Sequence, residues 1–143
     1  MASLSPRQGP LGRRLAAHLL RRTSFHYTKA RISALANMTA QQAVADLLTL
    51  TSPSMAEPID WQTGQPWINS GVAPVSQNFL LKDYIRAWWV HEALQDTSVG
   101  HKMELFLHST FVIAPIQGLP SEHFDYLALL KYHALGNVKL LAR

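Results

Sequence analysis

Glu104 and His108 are the pair of residues best placed to do chemistry together. They stand four positions apart in a predicted helix, a spacing that brings a carboxylate and an imidazole to one divalent metal ion. His101 cannot easily join the same ion, because it lies roughly 10 Å from His108 along a helix axis. A third ligand must come from elsewhere. The competing interpretation is an exposed pair on the polar side of the helix.

His91 is a second candidate for chemistry. The pattern of the predicted fourth helix places it in the centre of an apolar arc. A histidine there is either a hydrogen-bonded core residue or a proton-transfer group with a depressed pKa. The sequence leaves both interpretations open.

Basic residues dominate the start of the chain. No acidic residue precedes Asp46, and the predicted first helix carries most of the arginines, so an anion-binding surface is one interpretation and a solvated helix face is the other. Nucleic-acid binding is not favoured, because no groove-reading motif or interleaved aromatic platform accompanies the charge. The candidate anion-binding residues are Arg13, Arg14, Arg21 and Arg22.

The motifs of well-known enzyme classes are missing from the sequence. It has no phosphate-binding loop, Gly-x-Ser-x-Gly elbow, His-Glu-x-x-His pair or dinucleotide fingerprint. Without cysteine there is no disulfide, thiolate metal site or cysteine nucleophile. No apolar run reaches the roughly 18 residues of a membrane span. We therefore expect a non-enzymatic scaffold or interaction module without a cofactor, and the alternative is a metal-dependent, hydrolase-like enzyme using the histidine and carboxylate pair.

Helical periodicity and capping residues predict an all-α fold. Thr28 can cap a second helix, and Thr39 with Gln42 forms a capping box for a third. Residues 51–75 form a long loop rich in proline and glycine, which also contains Trp61 and Trp67. We expect an irregular, orthogonal multi-helix bundle. Its predicted helices span residues 10–22, 28–35, 39–48, 76–95, 98–112 and 121–135.

The apolar faces of these helices define the expected core. Each face is an arc on a wheel of 100° per residue. On the third helix it comprises Ala43, Val44, Leu47 and Leu48. On the fourth it comprises Leu80, Leu81, Tyr84, Ala87, Trp88, His91 and Leu94, and on the fifth it comprises Val99, Met103, Phe106, Leu107, Thr110 and Phe111. His101, Glu104 and His108 are expected on the opposite, polar side of the fifth helix.

Residues 138–143 have the pattern of the opening turns of another amphipathic helix, with no cap after it. We therefore expect residues 1–143 to be a single helical domain that is incomplete. Its helices would present apolar surface that the remainder of a longer protein, or another subunit, normally covers. The fragment alone is expected to self-associate.

Three segments resemble one bacterial family. They are residues 16–25 (AAHLLRRTSF), 102–111 (KMELFLHSTF) and 129–137 (LLKYHALGN), in the family's order and spacing. The chain is similar to the N-terminal portion of the family called domain of unknown function 1800. That resemblance implies a longer helical protein, often exported, and hence an envelope context, but no particular reaction. Here His26 replaces a glycine, Leu107 a tryptophan and Thr110 the second histidine of the family pattern.

Overall fold

A computed structural model describes residues 8–49, 55–69, 78–112 and 119–141 of the 143-residue chain. Seven helices and no β-strand occur in these ranges, so the all-α prediction is confirmed. Within the described ranges, no helix is long and apolar enough to cross a membrane. The helices are α1 (Gly12–Thr23), α2 (Lys29–Ala36), α3 (Ala40–Leu48), α4 (Asn78–Gln95), α5 (Gly100–Thr110), α6 (Pro120–Tyr132) and α7 (Val138–Leu141).

The second and third helices begin where the sequence predicts, whereas α1 begins at Gly12, two residues after the predicted start at Pro10. The Thr28 side chain accepts a hydrogen bond from the backbone N–H of Arg31. Thr39 and Gln42 form the reciprocal capping box at the start of α3. Both caps satisfy backbone donors that have no partner inside the helix. These helices bury one apolar cluster, which comprises Leu11, Ala16, Leu20, Leu35, Ala36, Ala43 and Leu47.

The second half of the chain packs α4 and α5 against α6. A smaller apolar cluster joins Leu81 and Ile85 of α4 to Trp67 of the preceding loop. Trp67 therefore covers the helix, whereas Trp61 remains exposed. Residues 51–54 and 70–75 of the predicted loop lie outside the described ranges.

The two halves meet at α2, α3 and the turn before α5. Arg31 forms an ion pair with Asp46 and also donates to the carbonyl of Thr97 at 3.2 Å. The backbone N–H of Val99 donates to the carbonyl of Leu47 at 2.9 Å. These contacts attach the turn between α4 and α5 to the first three helices.

Three predicted helix faces were correct only in part. On α3, Ala43 and Leu47 are buried as predicted, but Val44 and Leu48 are exposed. The buried face of α4 runs through Leu81, Ile85 and Ala93, so it is rotated away from the predicted arc. On α5, Leu107 is buried as predicted, but the buried face also includes His101 and Glu104, which were expected on the polar side, while Phe106 is 59% exposed.

The start of α6 also differs from the prediction. The predicted sixth helix starts at residue 121, but α6 begins one residue earlier, at Pro120. Proline suits the first helical position because its missing N–H would have had no partner there. The backbone N–H of Leu119 instead donates to the Glu122 carboxylate at 2.9 Å.

Candidate functional site

A cluster of buried polar side chains lies where α4, α5 and α6 meet. Trp89 comes from α4, Asp96 follows that helix directly, His101 and Glu104 lie on the first turns of α5, and Lys131 lies near the end of α6. His101, Glu104 and Lys131 are each at most 5% exposed. Charged residues are rarely buried this completely unless they are paired. We call these five residues the polar cluster.

Asp96 is the centre of the hydrogen bonding in the polar cluster. Its Oδ2 atom lies 2.6 Å from Nδ1 of His101 and accepts from Nζ of Lys131 at 2.8 Å. The same oxygen accepts from the backbone N–H of His101 at 3.1 Å. The other oxygen, Oδ1, accepts from the backbone and the hydroxyl of Ser98. One carboxylate thereby fixes both the turn before α5 and the end of α6.

These hydrogen bonds keep Asp96 ionised. Burial alone would raise its pKa, but the bonds from His101, Lys131 and Ser98 outweigh burial and hold the pKa well below its usual range. Nδ1 of His101 lies within hydrogen-bond distance of both Oδ2 of Asp96 and Nζ of Lys131, at 2.6 Å and 2.7 Å.

Glu104 is buried without a full set of partners. Its Oε1 atom accepts from Nε1 of Trp89 at 2.6 Å. Its Oε2 atom and Nε2 of His101 have no hydrogen-bond partner among the described residues and lie 3.8 Å apart. Burial raises the pKa of Glu104 to about 7, against the lowering effects of the Trp89 hydrogen bond and the nearby Lys131 charge. The carboxyl is therefore partly protonated near neutral pH.

A cavity of about 420 Å³ opens between α4, α5 and α6 beside Glu104. This volume lies in the range of small-molecule sites, which combine an apolar wall with a few polar groups. Glu104 is the one carboxylate among the described residues that line it. The lining residues are Ile85, Arg86, Trp89, Val90, Glu104, Leu105, His108, Val112, His123, Tyr126 and Leu127.

The predicted metal-binding pair borders this cavity. Nδ1 of His108 lies 2.9 Å from the hydroxyl of Tyr126, which donates to the carbonyl of Phe111 at 2.8 Å. Glu104 is buried and not, as the wheel indicated, on an exposed helix face. Among the described residues there is no group of three or more acidic or histidine side chains that could hold a metal ion. Metal binding by Glu104 and His108 stays a prediction.

The other predicted site residues lie apart from the polar cluster. Arg13, Arg14, Arg21 and Arg22 are exposed along α1, where Arg14 and Arg21 line a shallow groove with His18. Anion binding there stays a prediction. His91 is exposed, so its expected place in the apolar core was wrong. The α4 helix is turned so that Ile85 and Ala93 face inward instead.

Sequence reasoning missed Asp96 and Lys131. Asp96 carried one local signal, because an aspartate two residues before a serine at a helix start is typical of a capping turn. Lys131 carried a weaker one, since it interrupts the apolar run of residues 127–132. Neither signal shows that the two side chains meet, because they are 35 residues apart.

Comparison with protein-family models identifies the family of the chain. The model of a family described as "Protein of unknown function (DUF1800)" matches residues 18–143. No curated protein and no solved structure matches the chain.

Proposed function

This chain belongs to the DUF1800 family, and we propose that it is a non-enzymatic interaction module in the N-terminal part of a larger bacterial envelope-associated protein. In this proposal the cavity between α4, α5 and α6 receives an apolar group of a protein partner. The support for the N-terminal position and the envelope context is the resemblance of residues 16–25, 102–111 and 129–137 to that part of the family.

The observation that carries the proposal is the apolar wall of an open cavity. Val90, Leu105 and Val112 line it while being 50%, 40% and 66% exposed, respectively. Apolar surface of this kind costs free energy in water, at about 25 cal/mol per Å². Three large apolar side chains around one opening are characteristic of a surface that another molecule covers. A partner that fills the cavity would remove this cost.

The geometry of the polar cluster favours a structural over a catalytic role. A catalytic base or nucleophile has to reach the substrate. Asp96 and Lys131 instead direct their charges at each other and at His101, below the surface. Their contacts join α5 and α6 to the turn that follows α4.

Titration of the ¹⁵N-labelled chain with 1-hexanol, followed by NMR, tests the proposed cavity. We expect saturable chemical-shift changes centred on Val90, Leu105 and Val112. Leu105→Asp should weaken the binding at least tenfold, because it places a charge in the apolar wall. Leu129→Asp is the matched control, since Leu129 is similarly exposed on α6 but does not line the cavity. Absence of saturable binding, or an equal effect of the two variants, would contradict the proposal.

A further inference from the structure

Helix α1 presents different side chains on its two faces. Ala16 and Leu20 are buried in the apolar cluster that α1 shares with α2 and α3. The opposite face is exposed and carries basic side chains and no acidic one. We call it the basic face, and its residues are Arg13, Arg14, His18, Arg21 and Arg22. We propose that the basic face docks on the surface of a membrane that contains anionic phospholipids.

The first argument is that the basic face lacks a counter-charge. None of its arginines forms an ion pair with a described residue. Arg21 donates to the hydroxyl of Tyr27 at 3.2 Å. Asp46 is the first acidic residue of the sequence, and it already pairs with Arg31 of α2. Exposed cations without acidic neighbours attract an anionic surface, so the partner of this face carries negative charge.

The second argument is the width of the basic face. Arg14 and Arg21 are seven residues apart, so they lie within roughly 20° of each other on a helical wheel and about 10 Å apart along the axis. Arg13 and Arg22 are nine residues apart, which places them on opposite edges of the face, roughly 180° from each other. A narrow linear anion can follow the central line but does not meet both edges. A lipid surface presents mobile anionic groups over an area, which long arginine side chains can reach from both edges.

The third argument is the chemistry of the side chains. A guanidinium group binds a phosphate group through two parallel hydrogen bonds. Arg14 and Arg21 line a shallow groove together with His18 and the small side chain of Ala17, and a phosphate group placed there is within reach of both guanidinium groups. Helix α1 contains no phenylalanine, tyrosine or tryptophan, so it offers no stacking platform of the kind that binds single-stranded nucleic acid. Lipid phosphate groups need no such platform.

Co-sedimentation with lipid vesicles tests the proposal. The probes are vesicles of phosphatidylcholine alone and vesicles of equal parts of phosphatidylcholine and phosphatidylglycerol. We expect the unaltered chain to bind the anionic vesicles at least tenfold more tightly, because each arginine near an anionic surface strengthens binding roughly fivefold. Added sodium chloride should release the chain, because salt screens exposed charges and the apolar face of α1 is buried in the core.

Two charge-reversal variants locate the docking surface. Arg14→Glu changes the basic face, and Lys139→Glu on α7 is the matched control, because both residues are exposed and both substitutions change the net charge equally. Arg14→Glu should weaken binding to the anionic vesicles at least tenfold, and Lys139→Glu by less than about threefold. A carboxylate in the first turn of a helix is favourable, so Arg14→Glu should fold, which circular dichroism checks.

Equal binding to the two kinds of vesicle, or an equal effect of the two variants, overturns the proposal. Binding that persists at high salt would mean apolar insertion and is also contrary to it. Double-stranded DNA and poly-glutamate, added at the same concentration of anionic groups, represent the other anionic partners. If either one releases the chain from the anionic vesicles, the lipid assignment is wrong. The basic face is separate from the cavity between α4, α5 and α6, so failure here leaves the proposed function standing.

Discussion

Helices α1 to α3 pack together through different kinds of side chain from those that join α4 to α6. The first of these two regions buries an apolar cluster that includes Leu20 and Leu35. The second has a smaller apolar cluster around Trp67 and also joins its helices through the polar cluster, in which the side chains of Asp96 and Lys131 are buried together. An apolar core depends little on pH, whereas a buried charged cluster is stable only while its protons and partners are in place. Stability and pH response should therefore differ between the regions.

The largest effect is expected from Asp96→Asn. The substitution leaves Lys131 buried without its carboxylate and should lower the free energy of unfolding by about 3–5 kcal/mol. Urea denaturation followed by circular dichroism measures it. Asp83→Asn is the matched control, because Asp83 pairs with Arg86 at an exposed position, and it should cost less than about 1 kcal/mol. A cost for Asp96→Asn as small as that of the control would show that the polar cluster contributes little to stability.

A smaller effect is expected from the ionisation of Glu104. Its folded-state pKa of about 7 lies above the ordinary value of 4.5, so the fold favours the protonated form. The contribution of Glu104 to the free energy of unfolding is fully present below pH 4.5. It is lost as the pH rises through 7, and the total loss is on the order of 3 kcal/mol. Asp96 acts in the opposite direction at lower pH, where its depressed pKa makes acid destabilising.

Urea unfolding of the unaltered chain and of Glu104→Gln at pH 5 and pH 8.5 measures this contribution. The difference in stability between the two proteins should shift in favour of the glutamine variant at pH 8.5, because glutamine cannot ionise. Titration of groups far from Glu104 is common to both proteins and cancels from the difference. A difference that is the same at both pH values would mean that burial does not perturb Glu104.

The smallest effect is expected from Thr39→Ala in the first region. Removal of the capping box should lower the free energy of unfolding by about 1 kcal/mol, with the same loss at pH 5 and pH 8.5. Ser33→Ala is the control, since Ser33 is exposed inside α2, and its effect should stay within about 0.5 kcal/mol. A strongly pH-dependent cost of Thr39→Ala would remove the contrast between the regions.

The same contrast explains how much the sequence predicted. The helices, the family and the caps at Thr28 and Thr39 were predicted correctly, because they depend on periodicity and on residues a few positions apart. The face of α5 was predicted only in part, because a helical wheel assigns charged residues to the solvent. Glu104 is buried by partners on two other helices, and no pattern within α5 reveals them. The cavity could not be predicted for the same reason.

The ion pair of Arg31 with Asp46 and its hydrogen bond to Thr97 also have a consequence for the order of folding. The residues that contact each other within α1 to α3 lie close together along the chain. Arg31 and Thr97, in contrast, are 66 residues apart. Closing a longer loop carries a larger entropic cost, so contacts between near neighbours form at less cost than distant ones. The first three helices can therefore assemble as an early unit, and the turn before α5 attaches to it afterwards. By this argument the ion pair of Arg31 with Asp46 belongs to the early unit, and the hydrogen bond from Arg31 to Thr97 is expected to form later.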